Sequence, residues 1–281
     1  MVEEREVTFR VFRYNPKKDA VPHWEEYRIR VTRDMSVLDS LLKIKEELDP
    51  TLALRYSCRQ AICGSCGLTI NGKPRLACYT RVFELDSDVI EVAPLKNVKV
   101  IKDLVTDFTP LFEKEKGIYP YLIRKDLDEV NEPTGFYKQP ERDLLEYLEF
   151  ANCIECGLCY AACPVVATDP LYLGPFILNR VYRLCTDSRD QGADVRLEVV
   201  DSDHGCWRCH FAAACSDVCP KGVDPAKAIQ FLKRIVIKRH VLKSKVPERT
   251  VEIVPIPHAK QEVELPREED ENETGKDKGG G

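Results

Sequence analysis

Thirteen cysteines in a chain of 281 residues are distributed as two clusters and a singleton. The first cluster is Cys58, Cys63, Cys66 and Cys78. No cysteine occurs over 79–152. The second cluster comprises Cys153, Cys156, Cys159 and Cys163, then Cys206, Cys209, Cys215 and Cys219. Cys185 stands alone between its halves. An odd number cannot pair completely as disulfides, and a chain this long can bury its own core without them. The opening MVEEREVTFR is acidic and polar, so no secretory signal is expected. Metal binding or redox chemistry is therefore the better explanation of these cysteines.

Cys58-x4-Cys63-x2-Cys66-x11-Cys78 has the plant-type ferredoxin spacing for a [2Fe–2S] cluster. Three thiolates come from one tight loop and the fourth from the strand after a hairpin. Gly64 and Gly67 let backbone approach the cluster and aim N–H groups at its sulfides. Four thiolates also suit zinc, but structural zinc usually uses two short Cys-x-x-Cys pairs, and one is present here. Cys153-x2-Cys156-x2-Cys159-x3-Cys163-Pro164 is a complete bacterial ferredoxin run. In two-cluster ferredoxins the fourth cysteine of such a run ligates the other cluster, so a second run is expected. It is Cys209-x2-Ala212-x2-Cys215-x3-Cys219-Pro220, with alanine in place of the second cysteine. Crossing the fourth ligands gives a [4Fe–4S] site of Cys153, Cys156, Cys159 and Cys219. The other site has Cys163, Cys209 and Cys215. Alanine cannot bind iron, so [3Fe–4S] is the natural occupant there. Cys206, three residues before Cys209, is the alternative source of a fourth thiolate. Otherwise Cys206 and Cys185 are buried, unreactive thiols.

The pattern predicts an α+β chain. Val7, Phe9 and Val11 alternate with polar residues, as do Tyr27, Ile29 and Val31, which is strand period. Ser36 can cap a helix with apolar Val37, Leu38, Leu41, Leu42 and Ile44. Asn71-Gly72 marks a hairpin, and Val89, Ile90 and Val92 give a last strand. The order is ββαβββ over 1–105. Residues 106–245 read as helical. Pro140 precedes a helix carrying Leu144, Leu145 and Leu148, and Asp224-Pro225 opens another, running to about Lys243, with Ile229, Leu232 and Val236 on one face. Residues 246–281 read as an acidic, disordered tail. Within 262–281 lie eight acids and three bases, which account for the whole formal charge of -5 and leave 39 of each sign before them. No membrane span is expected. The nearly charge-free stretch 156–179 is broken by Asp169, Pro164, Pro170 and Pro175.

These residues resemble the iron–sulfur subunit of succinate dehydrogenase and fumarate reductase, the respiratory complex II family. The resemblance rests on RYNP at 13–16, RYSCRQAICGSCG at 55–67, LACYT at 76–80, CIECGLCYAACP at 153–164, DSRD at 187–190 and CSDVCPKGVDPAKAI at 215–229. It covers about 1–245. It implies a β-grasp plant-type ferredoxin domain followed by an all-α bacterial-ferredoxin-like domain. It also implies a flavoprotein partner whose covalent FAD carries the succinate/fumarate chemistry. Electrons would pass from FAD through [2Fe–2S], [4Fe–4S] and [3Fe–4S] to a quinone beside membrane anchor subunits, or in reverse for fumarate reduction. The chain would then be peripheral on the cytoplasmic face of the cell membrane, held by the anchors, with no nucleic-acid partner.

By position, the family's quinone pocket would take Pro164, His210 and Lys233. Val165-Val166-Ala167-Thr168 stands where dehydrogenases carry a tryptophan, and looks more like fumarate reductases, whereas His210 looks more like dehydrogenases. The plainer readings are a surface histidine and a solvated helix lysine. The stretch 233–245 has six Lys/Arg and no acid, which suits anionic headgroups or an anchor subunit, or equally a solvated helix face. No phosphate-cradling glycine loop, nucleophile elbow or acid–base pair is present, so the chain's own catalytic residues are expected to be none. Two other functions compete: a relay subunit for another dehydrogenase, and a zinc-stapled structural protein.

Overall fold

A computed structural model describes residues 3–243 and 251–255. β1 (Glu4–Arg13) and β2 (His23–Thr32) form a long antiparallel hairpin. The chain then enters α1 (Val37–Lys43), where Ser36 accepts a hydrogen bond from the Asp39 N–H and the Asp39 carboxylate accepts one from the Ser36 N–H. A wider turn, Ile44–Leu48, extends α1. β3 (Gly67–Ile70) and β4 (Lys73–Leu76) flank Asn71-Gly72, both with positive φ as a tight hairpin turn requires. β5 (Val89–Ala93) inserts parallel to β1 and antiparallel to β3, giving the sheet order β2-β1-β5-β3-β4. Val7, Phe9 and Val11 face inward, and α1 covers them with Val37, Leu38, Leu41 and Leu42. The ββαβββ order read from the sequence is the order found.

A small hairpin, β6 (Val100–Lys102) and β7 (Val105–Thr106), closes the first part, and α2 (Thr109–Lys116) opens the second. α3 (Leu127–Asn131), β8 (Gly135–Tyr137) and α4 (Glu141–Ala151) follow. Two short helices, α5 (Leu158–Ala162) and α6 (Pro164–Thr168), precede α7 (Pro175–Thr186) and α8 (Ala193–Val200). α9 (Ala214–Asp217) leads to α10 (Pro225–Leu242), with Asp224 capping the Lys227 N–H and Pro225 in the first turn. Ile229, Leu232 and Val236 of α10 are fully buried, packed into one core with α7. Arg196 is also fully buried. It binds the Tyr119 and Tyr121 carbonyls and Asp190, pinning the connecting segment onto the helices.

Two features go beyond the sequence pattern. The Leu144, Leu145 and Leu148 face of α4 points outward, with Leu145 60% exposed. The helix buries Asp143, Tyr147 and Phe150 instead, because Phe150 stacks edge-on against Tyr182 of α7 and the Tyr147 hydroxyl donates to Gln139. Within the expected tail, β9 (Ile253–Pro255) pairs with β8, and Lys138 bridges Glu252, so the helical part carries a small sheet and its return strand is ordered. The acidic stretch 262–281 lies outside the described residues.

Arg13 ties the first unit together. Only 7% exposed, it pairs with Asp103, Glu25 and Asp49 and donates to Thr51 and Tyr27. Asp103 also accepts from the Tyr14 and Ala53 N–H groups. Burial opposes the Asp49 charge, but bonds from Thr51, Arg13 and Tyr27 hold its carboxyl well below the usual range. Replacing Arg13 with methionine strands these carboxylates, and we expect a loss of about 3 kcal/mol or more, read from the denaturant midpoint of the purified chain.

Candidate metal centres

The first cysteine loop is built by left-handed backbone. Arg59, Ala61 and Gly64 all have positive φ, which coils 58–66 tightly enough to turn amide N–H groups toward sulfur. Cys58 Sγ accepts from the N–H groups of Gln60, Ile62 and Cys63 at 3.5, 3.3 and 3.2 Å. Cys78 Sγ accepts from Ala61 at 3.3 Å, and Cys63 Sγ from Cys58 at 3.5 Å. Such bonds stabilise thiolate charge and tune a bound cluster's potential. Cys78 lies in the single turn Ala77–Tyr79 after β4, not in a strand as the spacing suggested.

The second and third sites are one loop used twice. In the first copy Glu155 and Gly157 have φ of 55° and 75°, and α5 starts at once, placing Cys159 in its first turn. In the second copy Phe211 and Ala213 have φ of 58° and 59°, and α9 starts at once, placing Cys215 likewise. The backbone thus sets Ala212 in the register of Cys156. Alanine carries the left-handed conformation at 213 where the first copy uses glycine.

The thiols come together in crossed sets. Cys153, Cys156, Cys159 and Cys219 line one cavity with Phe176 and Pro220. Cys163, Cys209 and Cys215 lie within electrostatic reach of one another, beside the buried Tyr172, whose hydroxyl meets Cys209. No single periodic signal in the sequence marks Tyr172. Cys206 is fully buried, with Cys209, Lys233 and Asp201 as neighbours. Cys185 sits in the helical core beside Arg196 and Asp190. Among the described residues, no three His, Cys, Asp or Glu side chains converge closely enough to hold a single metal ion. The all-thiol chemistry of these sets fits iron–sulfur clusters.

Near the third site the structure places Lys233 with its ammonium on the Cys209 carbonyl at 2.8 Å. Pro164 and His210 are exposed, each following a cysteine of that set. Trp207 and Phe211 are exposed nearby in sequence, and the Trp207 indole N–H donates to Asp201.

Burial raises most of these thiols. It pushes Cys153, Cys156 and Cys215 up to about 11, and Cys66 to about 12. Cys63 is the exception: the Ser65 hydroxyl and the Cys58 amide bring it down to about 6. Because the thiolate is the nucleophile, iodoacetamide at neutral pH should label Cys63 of iron-free protein well ahead of Cys66. Peptide mass spectrometry across a pH series should find half-maximal Cys63 labelling near pH 6.

The comparisons with known proteins match both cysteine-bearing regions. Residues 8–113 match the family described as "2Fe-2S iron-sulfur cluster binding domain", and 149–223 match "4Fe-4S dicluster domain". The fumarate reductase iron-sulfur subunit of Mycobacterium tuberculosis is 43% identical over 237 residues, 84% of this chain and 95% of that one. The succinate dehydrogenase iron-sulfur subunit of Paracoccus denitrificans is 37% identical over 235 residues, 83% of this chain and 89% of that one. Among solved structures, a chain of the Mycobacterium smegmatis Sdh1 complex in the apo form superposes with a TM-score of 0.76 at 30% identity, covering 84% of this chain and 98% of that one. With its cysteine sites and this similarity along most of its length, the chain belongs to the family of iron–sulfur subunits of fumarate reductase and succinate dehydrogenase.

Proposed function

We propose that this chain is a three-centre electron relay between a flavoprotein's FAD and a membrane quinone. Residues 1–105 form a β-grasp domain holding [2Fe–2S] on Cys58, Cys63, Cys66 and Cys78. Residues 106–245 form a helical domain of bacterial-ferredoxin type, holding [4Fe–4S] on Cys153, Cys156, Cys159 and Cys219 and [3Fe–4S] on Cys163, Cys209 and Cys215. The observation that carries the reading is the doubled loop, with Ala212 in the register of a ligand. The five-stranded sheet covered by α1 supports the β-grasp assignment. Bound clusters supply one-electron carriers. The protein's part is to supply thiolates, aim N–H groups at sulfur and exclude water.

On this reading the flavoprotein carries the dicarboxylate site, anchor subunits hold the chain peripherally at the cytoplasmic face, and Pro164, His210 and Lys233 border the quinone. No helix among the described residues is long and apolar enough to cross a membrane. The exposed His210 beside Cys209, together with Lys233 held on the Cys209 carbonyl, supports the quinone assignment.

Two substitutions test this. Ala212→Cys restores the missing thiolate, and its low-temperature EPR should report [4Fe–4S] at the third site in place of [3Fe–4S]; an unchanged [3Fe–4S] signal would overturn the register. His210→Ala in the assembled complex should slow quinone reduction at least severalfold while sparing transfer to a soluble dye. Equal loss of both rates removes the quinone role.

A further inference from the structure

The two ligand loops touch at a glycine. Gly64 lies between Cys63 and Cys66 and has φ of +74°. A Cβ placed there would stand 2.8 Å from Cys156 Cβ, 2.9 Å from Cys156 Cα and 3.2 Å from the Ile154 carbonyl oxygen. Ordinary contact starts near 3.4 Å, so the loops would have to part. Neighbouring Gly67 is also close, its Cβ position 3.2 Å from the Cys156 carbonyl oxygen and from Leu158 Cδ2. Gly72 has a similar φ of +77°, yet nothing lies within 4 Å of its Cβ position. Backbone conformation explains glycine at both 64 and 72. Among these three, positive φ combined with contact on Cys156 Cα and Cβ is peculiar to 64. It is also firmly held, since Leu158 and Ala161 belong to the core under the sheet, with Ile154 and Cys156 packed against them. Asn97 further clamps the units by donating to the Tyr160, Ala161 and Cys163 carbonyls.

We propose that Gly64 is a positioning residue that sets the separation, and so the electronic coupling, between the first and second centres. The inference rests on the cluster assignment above. One electron leaves the site of Cys58, Cys63, Cys66 and Cys78, which is oxidised, and arrives at the site of Cys153, Cys156, Cys159 and Cys219, which is reduced. The flavoprotein supplies that electron and the third centre removes it. No bond or proton changes hands. Gly64, joined through the backbone to Cys63 and Cys66, meets Cys156 at this packed contact. Any side chain at 64 wedges that contact, and a dense core passes the displacement on to both loops. Transfer falls off exponentially with distance, so roughly half an ångström is enough to register.

The test uses the complex purified with its partner subunits, as wild type, Gly64→Ala, Gly64→Asn and Gly72→Ala. Asparagine tolerates left-handed backbone, and Gly72→Ala bears the same backbone penalty without the contact. Iron content and visible spectra establish loading of both centres. Microwave power saturation of the reduced [2Fe–2S] EPR signal then reads its magnetic interaction with the reduced second centre, which falls as the inverse cube of distance. In fully loaded Gly64 variants this interaction should weaken, and freeze-quench reduction of the second centre should slow about twofold. Gly72→Ala should match wild type in both. A loaded Gly64 variant with the wild-type interaction and rate would overturn the proposal. So would loss of iron from the first centre in both Gly64 variants, because the glycine would then serve ligation and not spacing. Absence of a [2Fe–2S] signal from wild type would instead refute the cluster assignment itself.

Discussion

Burying sulfur that must carry charge is the constraint behind this architecture. Desolvation drives the Cys153, Cys156 and Cys215 thiols up to about 11, whereas an iron ligand must be a thiolate. Iron cations offset that cost, and the backbone contributes N–H groups turned toward sulfur by left-handed residues. Metal binding and folding are therefore coupled in such a site, and assembly releases protons. The helices that carry or follow ligand cysteines, α5, α6 and α9, have only five, five and four residues, whereas α7 and α10, which pack together, have 12 and 18. The loops come first in the logic of this half, and the helices are what remains between them.

Use of one loop twice explains both symmetry and defect. Each copy spends two left-handed residues and a helix start to aim its thiols, and each lends its last cysteine to the other copy's site. Losing one thiol at Ala212 leaves the second copy's backbone intact, because Phe211 and Ala213 keep their conformations. Cys206 is near enough to Cys209 to invite an exchange of ligands. It starts a separate turn, Cys206–Arg208, and is buried against Asp201 and Lys233.

Much of this was legible in the sequence because the signals are local. Alternation at Val7, Phe9 and Val11, the Asn71-Gly72 turn and the Asp224-Pro225 helix start each depend on neighbours a few residues away. Cysteine spacing is legible for the same reason: ligand loops are short-range devices. What escaped depends on distant partners. The leucine-rich face of α4 has ideal helical spacing, but Tyr182 on α7 decides which face is buried. Arg13 finds Asp103 across 90 residues of sequence. The return of β9 to β8 joins segments more than a hundred residues apart, and no periodicity in three residues announces it. Gly64 reads from sequence as room for a cluster, and the structure adds that it is room for Cys156.

The central claim is that one chain carries three different centres on crossed ligand sets. EPR of the wild-type complex, frozen first oxidised and then fully reduced, tests it most directly. The oxidised sample should show a [3Fe–4S] signal, and the reduced one [2Fe–2S] and [4Fe–4S] signals with mutual broadening. An oxidised sample with no [3Fe–4S] signal, accompanied by two [4Fe–4S] centres on reduction, would contradict it.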